Sequence, residues 1–217
     1  AMQFLARGYH ACVLRYSVAP ARYPVPLLEL GQVMRILRSH AAEWLIDTDK
    51  IFVSGASAGA HLAGMLGVFW NQGWLADMLE TTGDVLKPAG LLLSYPVITS
   101  REGKGHLPSF RNLLGEEFEA KRGELSLETQ VTADTPPVFL WHTAVDQTVP
   151  AVNSLLMAQA LMEKKVPVEL HIYPEGVHGL SLGTEQVRRA DGTGVNEASR
   201  SWMELACDWI RRMCEEK

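Results

Sequence analysis

Five short apolar runs set the limits on what this chain can fold into. They lie at residues 10–17 (HACVLRYS), 50–54 (KIFVS), 89–95 (AGLLLSY), 137–143 (PVFLWHT) and 166–173 (VPVELHIY), with stretches of helical character between them. From residue 27 to 44 the apolar Leu30, Val33, Met34, Leu37, Ala41 and Trp44 recur at intervals of three and four, the spacing that lines one helix face. Residues 58–70, 154–165 and 198–215 carry helical patterns as well. Strands apolar along their whole length, rather than at alternate positions, are buried on both faces. Alternating with helices, they predict an α/β fold: a mostly parallel sheet with helices on both faces.

The pattern breaks between residues 98 and 136 into Gly, charge and Pro, with one short helical piece at 116–122. A connection of that length reads as a cap-like excursion rather than a linker. No repeat or low-complexity stretch interrupts the rest, so residues 1–217 are read as a single domain. The net charge of −5 argues against nucleic acid or an anionic membrane as partner. No apolar run approaches the roughly 18 residues that a bilayer span requires. Cys12, Cys207 and Cys214 form no CxxC pair. The expectation is reduced, structural thiols in a cytoplasmic protein, with Cys207 and Cys214 packed on one helix face rather than holding a metal. Met2 is read as the start of the chain and Ala1 as a cloning remnant.

Gly55-Ala56-Ser57-Ala58-Gly59 fits G-x-S-x-G where the strand at 50–54 meets the helix at 58–70. In that setting small neighbours permit a turn tight enough to hold a serine hydroxyl above the sheet edge. A glycine-rich turn for phosphate is the competing reading, but the chain has neither a G-x-G-x-x-G fingerprint nor the Gly-Lys pair of a P-loop. Asp146 follows the strand at 137–143, and His178 follows the strand at 166–173. Ser, Asp and His thus come in that order, each beyond the carboxyl end of a strand, where active-site groups of open parallel sheets gather. Asp134 precedes its strand and so lies at the wrong end, while Glu175, close to His178, is the rival acid. His61 falls within a helix and is read as a packed or partly exposed helix residue, and His142 and His171 fall within strands and are read as buried, hydrogen-bonded histidines. His106 lies in the excursion, where contact with substrate is the alternative to a structural role.

On these residues the chain resembles the α/β-hydrolase superfamily, and within it the bacterial acetyl-esterase and xylan-esterase-like carboxylesterases. The likeness takes in residues 14–20 (LRYSVAP), 93–98 (LSYPVI), 141–150 (WHTAVDQTVP), 153–155 (NSL) and 174–180 (PEGVHGL), besides the elbow. It implies Ser57 as nucleophile, His178 as general base and then acid, and Asp146 as the group that orients the imidazole. It further implies the Ala58 backbone N–H as one oxyanion-hole donor, Gly55 and Gly59 as the small residues of the elbow, a small-molecule ester substrate, and no metal or organic cofactor.

The resemblance also implies a gap. Members carry a His-Gly-Gly or Gly-Gly-Gly loop upstream that completes the oxyanion hole, and this chain has none. Its first strand then corresponds to the family's fourth, and the strand that should lie between residues 10–17 and 50–54 has no counterpart. Those two runs pair directly, or the first detaches, or a second copy covers the open edge; a homo-oligomer through that edge is the expectation. Loss of one oxyanion donor typically costs about 10²–10³ in kcat, so an assembled but nearly silent site is expected as well. The leading functional expectation is a serine carboxylesterase for short-chain acyl esters, acetyl esters above all. Acetylated sugars are a further candidate substrate; Trp70, Trp74, Trp141 and Tyr173 could offer a stacking face, but buried core is the expected role for most of them. The alternatives are a serine peptidase of the same fold and a truncated, catalytically weak hydrolase scaffold.

Overall fold

The computed structural model describes residues 1–215. Helices α1 (Met2–Leu5), α2 (Val25–Ser39) and α3 (Ala41–Trp44) precede strand β1 (Phe52–Ala56). Helices α4 (Ala58–Phe69), α5 (Gly73–Met78) and α6 (Gly83–Leu86) lead to β2 (Gly90–Ser94), and α7 (Leu107–Leu114) and α8 (Phe118–Lys121) lead to β3 (Val138–Thr143). Helix α9 (Val152–Glu163), strand β4 (Val168–Tyr173) and helix α10 (Trp202–Glu215) follow. The strands form one parallel sheet in the order β1-β2-β3-β4.

β2 and β3 are buried at every residue, as uninterrupted apolar runs require, whereas the edge strands β1 and β4 are only partly covered. Successive strand side chains point to opposite faces, and two cores result. On one face Leu91, Leu93, Val138 and Leu140 meet α2, α4 and α9; on the other Leu92, Phe139 and Trp141 meet Trp202, Ala206 and Trp209 of α10. Burying a leucine or valine contributes about 1.5–3 kcal/mol, so the central strands anchor both layers. α4 lies very close to the sheet because Gly67 has no side chain: a Cβ there would stand 2.3 Å from Leu91 Cδ1.

The run at residues 10–17 is extended but belongs to no ladder, which corrects the expectation of a first strand. Apolar character is only half of what a strand needs; the other half is an adjacent strand. Here the Ser17 N–H and hydroxyl donate instead to the Glu29 carboxylate, at 2.7 and 2.5 Å. Leu14 and Tyr16 pack onto the first core, while Val13 and Val18 are exposed. Of the three arrangements considered for the two runs, the first run is detached, and the outer edge of β1 is unpaired among the described residues. The helical pattern at 27–44 divides at His40 into α2 and α3, and α1, α5, α6 and α7 lie where no helix was predicted.

The aromatic side chains offered for sugar stacking are used elsewhere. Trp141 is fully buried, donates its N–H to Ser94 Oγ at 2.7 Å and stacks on Trp202 at 5.3 Å. Trp70 donates to the Asp134 carbonyl at 3.0 Å, and Trp74 packs edge-on against Tyr23 and Phe69. Tyr173 shares a 3.1 Å hydrogen bond with Ser201. Cys207 is buried beside Trp209, Cys214 is partly buried in the same cluster and Cys12 is exposed; all three are free thiols.

Residues 98–136 pack onto the first core through Phe110, Leu114, Phe118 and Leu127. Asn153 of α9, fully buried, ties this segment down. Its Oδ1 accepts the N–H groups of Ile98 and Thr99 at 2.9 and 3.1 Å. Its Nδ2 donates to the carbonyls of Lys104 and Pro150 at 2.8 and 2.9 Å.

Candidate active site

β1 delivers Ser57 at its carboxyl end through a turn that only small residues permit. A Cβ at Gly55 would stand 2.2 Å from the Gly59 carbonyl oxygen, so the strand and the first turn of α4 touch backbone to backbone. Ser57 itself sits at φ 56°, ψ −120°, a conformation L-residues rarely adopt, and such strain clusters at functional sites. Its N–H donates to the Ser94 carbonyl at 3.0 Å, and its own carbonyl accepts from Ala60, His61 and Val97. Ala58 is the first residue of α4, so its N–H has no intrahelical acceptor and is free for a ligand. Gly59 lies beside Tyr16, whose hydroxyl is 3.7 Å from where a Cβ would be.

The loop after β3 carries Asp146, and the loop after β4 carries His178. The structure brings these two together with Ser57. His178 Nε2 lies 2.8 Å from Ser57 Oγ, and His178 Nδ1 lies 2.6 Å from Asp146 Oδ2. An ionised carboxylate only accepts, so Nδ1–H donates to Asp146 and Nε2 is left to accept the Ser57 hydroxyl proton. Asp146 is buried, and its Oδ1 accepts the N–H groups of Thr148 and Val149 at 2.9 and 3.0 Å. Burial alone would raise its pKa. The adjacent His142 imidazole and hydrogen bonds from His178 and the Val149 N–H outweigh that and hold the carboxyl well below the usual carboxylate range.

Neighbours that sequence reasoning did not single out fix the His178 loop. The Tyr95 ring packs edge to face with the imidazole at 5.1 Å. Arg189 Nη2 donates to the carbonyls of His178 and Gly179 at 3.0 and 2.8 Å, and the Thr143 hydroxyl donates to the Gly176 carbonyl at 2.9 Å. Tyr95 left a trace in the sequence, inside the segment 93–98; Arg189 left none. His142 proves to lie against Asp146, with Nε2 at 3.4 Å from Oδ2.

The remaining candidates separate cleanly. Glu175 is exposed, and Asp134 accepts from Asn71 at 3.2 Å away from the site. His61 is buried, and its Nε2–H donates to the Leu125 carbonyl at 2.9 Å. His171 is half-buried and bonds Glu169 at 2.8 Å. His106 precedes α7, with Nδ1 held by Ser109 Oγ at 2.8 Å. Burial, and then the like charge of nearby His178, push its pKa down, with Asp146 opposing. Among the described residues no group of three or more His, Cys, Asp or Glu side chains converges as metal ligands would, and no helix is long and apolar enough to cross a membrane.

Residues 1–161 match the family model described as BD-FAE. The chain belongs to the BD-FAE family. A second model, the prolyl oligopeptidase family, matches residues 114–212. Endo-1,4-beta-xylanase B of Butyrivibrio fibrisolvens is 37% identical to this BD-FAE chain over 192 residues, covering 86% of the chain and 30% of the xylanase. An acetylxylan esterase of Xylanibacter ruminicola is 28% identical over 183 residues, covering 82% of the chain and 36% of the esterase. The chain thus spans about a third of the length of these two relatives. Among solved structures, an acetyl ester-xyloside bifunctional hydrolase from Caldicellulosiruptor lactoaceticus superimposes with TM-score 0.83 at 34% identity, over 98% of the chain and 74% of that protein. The BD-FAE chain accordingly has the α/β-hydrolase fold of its esterase relatives.

Proposed function

We propose that this chain is a serine carboxylesterase that hydrolyses short-chain acyl esters, acetyl esters above all, with acetylated sugars among its substrates. The observation that carries the reading is the continuous hydrogen-bonded chain from Ser57 through His178 to Asp146. A neutral hydroxyl is a weak nucleophile and needs an adjacent, oriented base. In this reading His178 Nε2 takes the Ser57 proton as Oγ attacks the ester carbonyl carbon. Asp146 stabilises the imidazolium, and the Ala58 N–H meets the developing oxyanion. His178 then returns the proton to the leaving alcohol, and a water activated by the same ring releases the acid. The names of the acetylxylan esterase and the acetyl ester hydrolase support the acetyl preference.

Hydrolysis of p-nitrophenyl acetate tests this. The Ser57→Ala variant is expected to lose roughly 10⁴–10⁶ in kcat, and p-nitrophenyl octanoate to be a poorer substrate than the acetate. Equal rates for wild type and Ser57→Ala would sink the reading. The match of residues 114–212 to the prolyl oligopeptidase family favours a peptidase as the second reading; Ser57-dependent cleavage of a peptide anilide faster than of the acetate would select it. A Ser57 inert to a fluorophosphonate probe would leave the scaffold reading. For partners, we take a second copy as the occupant of the free β1 edge, to be read as twice the chain mass by light scattering. Three free thiols, one exposed, support a reducing compartment such as the cytoplasm.

A further inference from the structure

His142 stands on β3, four residues before Asp146, and is fully buried. Its Nε2 lies 2.8 Å from the Val149 carbonyl oxygen. A carbonyl only accepts, so Nε2 carries a proton. Its Nδ1 lies 2.8 Å from the hydroxyl of Ser154, also fully buried, and in the neutral ring accepts that proton. The same Nε2 is 3.4 Å from Asp146 Oδ2, the oxygen that accepts from His178. Asp146 is thus held from every side: two backbone N–H groups share Oδ1, and two imidazoles face Oδ2.

We propose that His142 is a positioning residue, whose Nε2–H fastens the turn carrying Asp146 through the Val149 carbonyl and stands beside Oδ2, so that this oxygen stays aimed at the His178 ring. The inference rests on the esterase reading and adds to it a residue that touches neither substrate nor reacting atoms. Any buried imidazole needs an acceptor for its N–H; this one takes it from the turn that carries Asp146, with the carboxylate 3.4 Å from the same nitrogen.

Withdrawing that N–H has a readable effect. The Val149 carbonyl then loses its donor, the turn loses its tie to β3, and Oδ2 has only the His178 imidazole beside it. The other groups facing His178 are unchanged by the substitution. These are Ser57 and Asp146 by hydrogen bonds, the Tyr95 ring, Arg189 on the loop carbonyl and His106 before α7.

The test compares His142→Leu, which lacks a donor, with His142→Gln, whose amide N–H reaches towards the same acceptors. With folding checked by urea denaturation, His142→Leu is expected to lose about 10–100-fold in kcat, the size of loss seen when an outer hydrogen bond on a metal-ligating side chain is removed, with KM within twofold of wild type. Its acid limb of kcat/KM shifts, and His142→Gln returns both values towards wild type. A second readout needs no turnover: the low-field proton resonance of the short His178–Asp146 hydrogen bond shifts or vanishes in His142→Leu and persists in His142→Gln. An unchanged resonance and acid limb in His142→Leu overturn the proposal, as does a glutamine variant no better than the leucine one. If wild type shows no Ser57-dependent turnover, the esterase reading fails, while the resonance still decides the role of His142.

Discussion

Ser57 is held in a backbone conformation that costs about 1–3 kcal/mol, and its neighbours impose it. Gly55 and Gly59 touch where any side chain would intrude, so Gly55→Ala forces apart two backbone segments that have no room to move. We expect Gly55→Ala to destabilise the fold by about 3 kcal/mol and to abolish fluorophosphonate labelling. Gly73→Ala is the control: nothing lies within 4 Å of its Cβ, at the start of α5. That change should be neutral or stabilise by up to about 1 kcal/mol. Urea midpoints of the two variants decide between them. At this scale the site was legible where chemistry is written locally: Ser57 within its glycines, Asp146 and His178 just past apolar strands. Tyr95, His142 and Arg189 were not legible as parts of the site, because each acts across space on a group that its own sequence neighbours do not announce.

The contact between α4 and the segment 98–136 has a pH-sensitive joint. His61 is buried, packs edge-on against Phe110, and spends its one N–H on Leu125. Burial pushes its pKa down from 6.5 to about 4, with the Leu125 hydrogen bond opposing. A histidine with a depressed folded pKa favours folding when neutral. Its contribution is complete above about pH 6.5 and is lost as pH falls through 4, because the unfolded chain takes up the proton first. Each pH unit of separation is worth about 1.4 kcal/mol, so a loss of about 3 kcal/mol across that window is expected. His61→Gln, which keeps a donor for Leu125, should flatten this limb in urea titrations from pH 7 to 4; an unaltered slope would contradict the assignment. The elements themselves were legible in proportion to how local their causes are. The apolar runs of β2 and β3 and the long periodic helices stood out. α1 and α6 have four residues each, too few for a period to register. The run at residues 10–17 had strand composition but no neighbour, and composition carries no information about neighbours.

The two cores share β2 and β3, so neither layer can melt while the other keeps its sheet. We expect one cooperative unfolding transition, with far-ultraviolet dichroism and tryptophan fluorescence changing together; two separated transitions would mean two independent units. In the esterase reading, activity need not follow that curve. Ser57 and Asp146 hang directly from strands, but His178 belongs to a long irregular stretch between β4 and α10. Arg189, largely exposed, holds it by two carbonyls, with help from Thr143 and Asn196. Such a tether opens at a free energy far below that of global unfolding. Heat should therefore silence the molecule before it melts it, and the silencing should reverse on cooling, since the sheet that receives the returning imidazole is still in place. Arg189 then acts as the molecule's thermal fuse.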